Sequence, residues 1–243
     1  MAEQFQYGDI FSANSIEASP GSVRHSKYDF AVAYPDPDTL PLNDLIDAVK
    51  AGFEREGKDL AYYSSPSGDP ELRKLVAEKL SLERNMTVTA DDMVLTSGSG
   101  EAIGIVIQAL TDPGDVVLVE EFVYLGTLNQ MRRYGADCVG IKCDDDGIIP
   151  EDLDSVITEQ QAKGKKVKYL YTIPAFQNPM GWTMSLERRK QVLGITGKHG
   201  IPVFEDDCYA DLRFSGENVT SFHSLDDTGR VIYVGSFSKI IAL

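Results

Sequence analysis

Lys239 follows an apolar run, Val231–Val234, and the small hydroxylated residues Ser236 and Ser238. A lysine amine can form a Schiff base with an aldehyde when burial or a nearby cation lowers its pKa. Considered alone, the same residue is more simply a solvated lysine near a chain end. Lys239 therefore indicates covalent amine chemistry only if other functional groups converge on it.

Acidic residues follow a second apolar run, in the segment Phe204-Glu205-Asp206-Asp207-Cys208-Tyr209. A charge at the end of a buried strand costs free energy unless it is paired. We therefore expect a cationic partner for these acids, and solvated carboxylates are the alternative.

Two further segments carry groups that could contact a planar ligand. Gln177-Asn178-Pro179-Met180-Gly181 is predicted to turn, because Asn-Pro dipeptides favour turns, and the Asn178 amide could donate to a ligand oxygen. Tyr124 follows the apolar run Val116–Val119 and could stack on a ring. A plain turn and an ordinary core or surface tyrosine are the alternatives.

The segment Thr96-Ser97-Gly98-Ser99-Gly100-Glu101 lies between a predicted strand and a predicted helix. Small residues let the backbone turn tightly, and the free N–H groups of a helix start attract phosphate. The segment matches neither the dinucleotide-binding nor the P-loop fingerprint. It is predicted to be an anion cradle, with an ordinary loop as the alternative.

These groups need elements that bring them together, and helical and strand patterns alternate from about residue 42 onward. Apolar residues at helical spacing predict helices over 42–56, 71–84, 101–110 and 185–199. Apolar runs without polar alternation predict strands at 93–96, 116–119, 167–173, 201–205 and 231–234. Such runs are typical of a sheet covered on both faces by crossover helices. We predict a three-layer αβα domain with a mostly parallel sheet over residues 45–243, preceded by an irregular arm over 1–44.

All five segments follow predicted strands, so they are expected at the same carboxyl edge of the sheet, where open α/β folds bind ligands. Together they offer a phosphate cradle, an aromatic ring, an amide, a carboxylate and an amine. That set suits a phosphorylated pyridinium aldehyde.

Composition narrows the choice of partner and compartment. The chain has 23 basic and 38 acidic residues and a net charge of −15, which disfavours a nucleic-acid partner. Its three cysteines lack metal-ligand spacing, so reduced thiols and no metal site are expected. No apolar run reaches the roughly 18 residues of a membrane helix, and the first residues lack a signal-peptide pattern. We expect a cytoplasmic protein with no membrane partner.

From about Tyr28 to its last residue the chain resembles the fold-type-I pyridoxal-phosphate aminotransferases of class I/II, in particular the aminoadipate and kynurenine aminotransferase branch. The motifs that carry this resemblance are Tyr63-Ser64-Ser65-Pro66-Ser67-Gly68, Leu72-Arg73, Ser97-Gly98-Ser99-Gly100-Glu101-Ala102, Asn178-Pro179-Met180-Gly181, Glu205-Asp206-Asp207-Cys208-Tyr209 and Ser236-Phe237-Ser238-Lys239.

The resemblance implies a role for each residue at the edge of the sheet. Lys239 would hold pyridoxal 5'-phosphate as an internal aldimine and then move a proton between the substrate and the cofactor. Asp206 would pair with the pyridine nitrogen, and Asn178 and Tyr209 would bond the phenolic oxygen. Tyr124 would stack on the ring.

The resemblance also implies a phosphate site, a substrate site and a partner. The phosphate would be held by Gly98, Ser99 and Gly100 together with Ser236 and Ser238. Tyr63 would reach the phosphate of a neighbouring subunit, which implies a homodimer with shared sites. Tyr34 would lie in a loop that covers the substrate, and Asn178 would also contact it.

The chain departs from the family pattern at several points. Gly100 stands where relatives often carry Gln, and Ala33-Tyr34 replaces a glycine-rich position. Relatives continue after the lysine with Pro-Gly-x-Arg-x-Gly and a small C-terminal domain, whereas Leu243 stands where that proline is expected. We therefore expect a large domain without its small C-terminal domain, lacking the arginines for phosphate and substrate carboxylate, and poor turnover.

Three functions are compatible with these residues. The first is an aminotransferase of amino acid metabolism or biosynthesis that moves an amino group between an amino acid and a 2-oxo acid. The second is a non-catalytic effector-type module that binds the same cofactor. The third is a lyase or decarboxylase on the same scaffold. The motifs favour the aminotransferase.

Overall fold

The computed structural model describes residues 10–12 and 34–241. The chain divides into two compact units, Met1–Tyr34 and Pro35–Leu243. In the first unit, the described residues Ile10, Phe11 and Tyr34 expose much of their side chains. The remainder of the predicted arm up to residue 33 lies outside the described residues. All further elements belong to the second unit.

The second unit is built around a five-stranded parallel sheet with the order β2-β1-β5-β6-β7 and a separate antiparallel hairpin, β3-β4. Its strands are β1 Val116–Glu120, β2 Asp137–Ile141, β3 Cys143–Asp144, β4 Gly147–Ile148, β5 Val167–Thr172, β6 Val203–Asp206 and β7 Val231–Val234. Its helices are α1 Leu42–Glu56, α2 Pro70–Arg84, α3 Ser99–Leu110, α4 Leu125–Arg133, α5 Pro150–Ala162, α6 Leu186–Lys198 and α7 Phe222–Leu225.

Local sequence explains where the helices begin. Asp69 accepts the Leu72 N–H at 2.7 Å, and Pro70 occupies the first turn of α2. Ser185 accepts the Arg188 N–H at 3.2 Å and starts α6 in the same way. These caps satisfy N–H groups that have no partner inside the helix.

The sheet is buried on both faces, and alternate residues of β1 enter opposite cores. Val116 and Leu118 join a core formed with α5, α6 and α7. Val117 and Val119 join a second core formed with α3 and α4. Each fully buried aliphatic side chain contributes roughly 1.5–3 kcal/mol to folding. The prediction of a three-layer αβα fold with a parallel sheet is confirmed.

The structure corrects the predicted strand at 93–96. Met93 has an extended backbone, but residues 93–96 are not part of any strand in the described chain, and Leu95 N–H donates to the Ser67 carbonyl at 3.0 Å. An apolar run can favour an extended backbone, but a strand also needs a neighbouring strand to bond. Helix α3 begins at Ser99, two residues before the predicted start, and places Gly100 inside it.

The order of the sheet creates the crevice in which the site lies. The chain passes from β1 outward to β2, and then returns to the other side of β1 with β5. Ligands of open α/β sheets bind at such a reversal, beyond the carboxyl ends of the strands. Within the part of the chain that is described, no helix has the length and apolar character needed to cross a membrane.

Candidate functional site

Asp206, the last residue of β6, accepts a hydrogen bond from a hydroxyl group. Tyr171 of β5 donates its O–H to Asp206 Oδ2 at 2.6 Å. Burial raises the pKa of Asp206, and the Tyr171 hydrogen bond and the nearby Cys208 lower it. A buried phenol thus meets part of this acid's need for a donor, and the expectation of a cationic partner for Asp206 stays a prediction.

The second oxygen of Asp206 is the most informative atom of the site. Oδ1 is buried and has no hydrogen-bond partner among residues 34–241. Asp206 is only 3% exposed, and an unpaired carboxylate oxygen at that depth costs free energy. A ligand that offers an N–H or a cation at this atom would remove that cost.

The acids on either side of Asp206 do have cations nearby. Glu205 accepts the backbone N–H groups of Phe222 and His223 at 2.9 and 3.0 Å, and Arg189 lies 3.7 Å from it. Burial raises the pKa of Asp207, and the Arg84 guanidinium is the strongest group that opposes this shift. The prediction of cationic partners is confirmed at Glu205.

Asn178 and Tyr209 come together from different loops. The Asn178 Nδ2 donates to the Tyr209 hydroxyl at 3.3 Å, across a sequence separation of 31 residues. Burial raises the pKa of Tyr209, and the Asn178 hydrogen bond lowers it. The pair presents an amide and a phenol that could both donate to one ligand oxygen.

Tyr124 lies at the start of α4, and its ring folds back over Gly126. A Cβ added at Gly126 would lie 2.5 Å from the Tyr124 Cε1 atom. Tyr124 remains half-exposed, so one side of its ring is open. The absence of a side chain at Gly126 therefore determines where this ring can lie.

The segment that is predicted to be an anion cradle lies where α3 begins, near the segment after β7. Gly98 has φ 88°, a conformation that L side chains rarely adopt, and Ser99 and Gly100 start the helix. A Cβ at Gly98 would lie 3.9 Å from Ser238 Oγ. Ser238 N–H in turn donates to Ser236 Oγ at 3.1 Å. The start of α3 and the side chains of Ser236 and Ser238 thus lie close together.

A cavity of about 300 Å³ adjoins this cradle. Gly98, Ser99, Ser236 and Ser238 line it, whereas Asp206, Lys239, Asn178, Tyr124 and Gly100 do not. The cavity therefore belongs to the cradle side of the edge, beside the extended segment at 93–96.

Lys239 is half-buried in a turn that follows β7, closed by hydrogen bonds from the Ile240 and Ile241 N–H groups to the Phe237 carbonyl. Burial raises the pKa of the Cys208 thiol, and the Lys239 ammonium acts against that shift. The lysine is therefore close to the segment that carries Asp206.

The structure does not bring every predicted residue to this edge. Tyr63 is fully exposed, in the loop before α2. Tyr34 is an exposed residue of the first unit, and its substrate role stays a prediction.

Sequence reasoning missed Glu120 and Gln177, whose side chains meet at 2.6 Å in the crevice, and Tyr171, which holds Asp206. Glu120 ends an apolar run in the same way as Asp206 does, and that signal could have drawn attention to it.

Comparison with known proteins gives consistent matches. The model for aminotransferase class I and II matches residues 31–243. Aromatic-amino-acid aminotransferase 1 of Thermococcus litoralis is 36% identical over 99% of this chain and 60% of its own length. An archaeal alanine:glyoxylate aminotransferase structure has a TM-score of 0.83 and 39% identity over 87% of this chain and 52% of that one.

The structure of Pyrococcus horikoshii kynurenine aminotransferase, in complex with PMP, has a TM-score of 0.80 and 36% identity, over 87% of this chain and 52% of that one. The chain thus spans about half to three-fifths of the length of the relatives it matches. Because the family model covers most of the sequence, this chain belongs to the aminotransferase class I and II family.

Proposed function

We propose that this chain carries the cofactor site of a pyridoxal-phosphate-dependent aminotransferase, which moves an amino group between an amino acid and a 2-oxo acid. The observation that carries the proposal is the buried, unpartnered Oδ1 of Asp206 at the carboxyl edge of the sheet. A protonated ring nitrogen is the kind of donor that this atom lacks. Family membership and the PMP complex of the Pyrococcus relative support the choice of cofactor.

The residues at the edge fit the other groups of this cofactor. The α3 start at Gly98 and Ser99, with the hydroxyls of Ser236 and Ser238, suits a phosphate. The Asn178 and Tyr209 pair suits a phenolic oxygen. Gly100, with no side chain and its carbonyl facing Gln130 Nε2 at 3.4 Å, offers only its backbone N–H.

Pyridoxal phosphate, when bound, supplies an electron-withdrawing pyridinium ring and an aldehyde carbon that carries the amino group. Asp206 Oδ1 would hold the proton on the ring nitrogen. The Tyr124 ring would cover one face of the cofactor and exclude water from it. Lys239 Nζ would hold the aldehyde carbon and, once displaced by the substrate amine, would carry the proton from the substrate α-carbon to the cofactor carbon that receives the amino group.

We also propose that the protein works as a homodimer. Helix α1 exposes a stripe of large apolar residues at helical spacing, Leu42, Ile46, Val49 and Phe53. Contiguous apolar surface of this kind is typical of protein interfaces. Tyr63 is fully exposed on the same unit and is available to reach a neighbouring subunit's phosphate.

The three free thiols suit a reducing compartment, so we propose the cytoplasm.

The proposal is tested by mixing the protein loaded with pyridoxal phosphate with amino acids one at a time: aromatic amino acids, kynurenine, 2-aminoadipate and alanine. We expect a 2-oxo acid from at least one of them, in an amount equal to the protein present, and none from Lys239→Ala. Release of carbon dioxide or ammonia would favour a decarboxylase or lyase instead. Cofactor binding without any product would favour the effector-type module.

A further inference from the structure

A buried pair of side chains, Glu120 and Gln177, connects two loops of the proposed site. Glu120 ends β1 and is 1% exposed, and Gln177 follows β5 and is 2% exposed. The Gln177 Nε2 donates to Glu120 Oε2 at 2.6 Å. We call this pair the Glu120–Gln177 brace.

Every polar atom of the Gln177 amide has a partner. Its Nε2 also donates to the Phe122 carbonyl at 2.6 Å, and its Oε1 accepts the Met180 N–H at 2.7 Å. The two acceptors facing Nε2 and the donor facing Oε1 fix the orientation of the amide. Gln177 thus holds the loop after β1 and the turn after β5 at the same time.

Glu120 attaches this pair to the sheet. Its Oε1 accepts the Thr172 O–H and the Ile173 N–H, the latter at 3.1 Å. Both groups lie at the end of β5, so the carboxyl group bridges the crevice between β1 and β5. Burial raises the pKa of Glu120 to about 8, and its hydrogen bonds oppose that shift.

The contacts of the brace lie close in sequence to two residues of the proposed cofactor site. Phe122 is two residues before Tyr124, and Met180 is two residues after Asn178. A shift of the Gln177 amide would therefore move both the aromatic ring and the amide that faces the phenolic oxygen. Neither Glu120 nor Gln177 needs to touch the ligand to have this effect.

We infer that the Glu120–Gln177 brace is a positioning device that sets the Asn178 amide against the Tyr124 loop, so that the two contact the cofactor ring together. This inference rests on the proposed function. Glu120 and Gln177 are positioning residues and not catalytic ones. Their effect should appear as a changed hydrogen bond at the phenolic oxygen, beyond any loss of stability.

Two variants disturb the brace in different ways. Glu120→Gln keeps an acceptor for Thr172 and Ile173 but sets an NH₂ group against the Gln177 NH₂, so one Gln177 contact must be lost. Gln177→Leu removes all the side-chain hydrogen bonds of residue 177 while keeping a similar volume. If this variant does not fold, Glu120→Gln alone tests the inference. Thr111→Val is the control, because it removes only a buried bond to Tyr169 at 3.0 Å, away from the site.

The first measurement is amide hydrogen exchange of the cofactor-free protein. We expect exchange in peptides covering both 120–125 and 174–182 to become about fivefold faster in the brace variants, the effect of one lost hydrogen bond. Thr111→Val should leave both peptides unchanged. Faster exchange in only one peptide, or no change in either, would overturn the inference that the brace holds both loops. Hydrogen exchange tests whether the brace holds both loops even if the wild type binds no cofactor. Failure of the wild type to bind cofactor would refute only the proposed function.

The second measurement is a spectroscopic pH titration of the visible absorbance band of lysine-bound pyridoxal phosphate. A hydrogen bond to the phenolic oxygen lowers the pKa of this chromophore. We expect the brace variants to raise it by about half to one unit relative to the wild type and Thr111→Val. An unchanged pKa in variants with faster exchange would show that the brace does not position Asn178.

Discussion

Tyr171 donates its hydroxyl to Asp206 Oδ2 at 2.6 Å, while the other oxygen of the same carboxyl group is buried without a partner among the described residues. The register of the sheet produces this contact. Tyr171 pairs with Phe204, and Asp206 lies two residues further along the same face of β6. One oxygen is thus bonded within the fold, and the other is the atom that we propose faces the ligand.

Tyr171→Phe should therefore weaken cofactor binding. The hydrogen bond lowers the pKa of Asp206, so its loss raises that pKa and reduces the negative charge that faces the ring nitrogen. We expect the Kd for pyridoxal phosphate to rise about tenfold, as for a lost bond to a charged group. Fluorescence titration measures it.

Tyr169→Phe is the matched control, since Tyr169 lies on the same face of β5 and bonds Thr111 instead. Equal weakening by both variants would contradict the role of Tyr171.

Gly126→Ala should move the Tyr124 ring without unfolding the protein. The new Cβ would lie 2.5–2.9 Å from the end of the tyrosine ring, which can turn away, and alanine favours a helix. We expect weaker cofactor binding with an unchanged or raised free energy of unfolding. Gly194→Ala in α6 is the control, because nothing lies within 4 Å of its added Cβ. Normal cofactor binding by Gly126→Ala would mean that Tyr124 does not contact the cofactor ring.

Gly98→Ala and Gly100→Ala should differ in their free energy of unfolding, although the two positions are only two residues apart. Gly98 has φ 88°, which costs a residue with a Cβ about 1–3 kcal/mol, and this strain falls on the anion cradle. Gly100 is helical and its added Cβ meets nothing within 4 Å. Urea unfolding should show destabilisation of Gly98→Ala only. Equal stability of the two variants would contradict the described geometry of the cradle.

The stability of the protein should fall as pH rises from about 5 to about 8. Burial raises the pKa of Glu120 to about 8 and also raises the pKa values of Glu205 and Asp207. Because these folded-state values exceed the unfolded ones, the folded protein holds more protons in this window. The stability that these groups contribute is complete below the pKa that they have in the unfolded chain. It is lost as pH rises through the pKa that they have in the folded protein. His223, whose pKa burial lowers, acts in the opposite direction.

Urea unfolding across this range measures the effect. One proton accounts for at most about 1.4 kcal/mol per pH unit. Glu120→Gln removes one titrating group, so its stability should depend less steeply on pH. A wild-type stability that rises over the same range would contradict the raised pKa values.

The elements that the sequence predicts best are those that depend on local pattern. The bounds predicted for α1 and β7 match the structure, because a helical stripe and a short apolar run are each visible in one segment. The segment at 93–96 has the same apolar signal as β7, but a strand also requires a neighbour, which no local pattern reveals. The hairpin strands β3 and β4 have two residues each, too few for any periodicity.

In the candidate site too, the sequence predicts what depends on local pattern and not what depends on contacts between distant segments. The sequence predicts that the residues of five segments lie at one edge of the sheet, because each segment follows an apolar run. The contacts among them could not be read, because they depend on register. Tyr171 meets Asp206 across 35 residues, and Gln177 meets Glu120 across 57. The sequence predicts a cation beside Asp206, and the sheet supplies a phenol to one of its two oxygens.

We propose that Lys239 binds the aldehyde of pyridoxal phosphate at this edge. Borohydride reduction of the loaded protein, followed by peptide mass spectrometry, fixes the cofactor to whichever amine holds it. We predict the label on the peptide that contains Lys239 in the wild type and in Lys142→Ala, an exposed-lysine control, and no label in Lys239→Ala. Label on other lysines, or equal labelling of Lys239→Ala, would contradict the account.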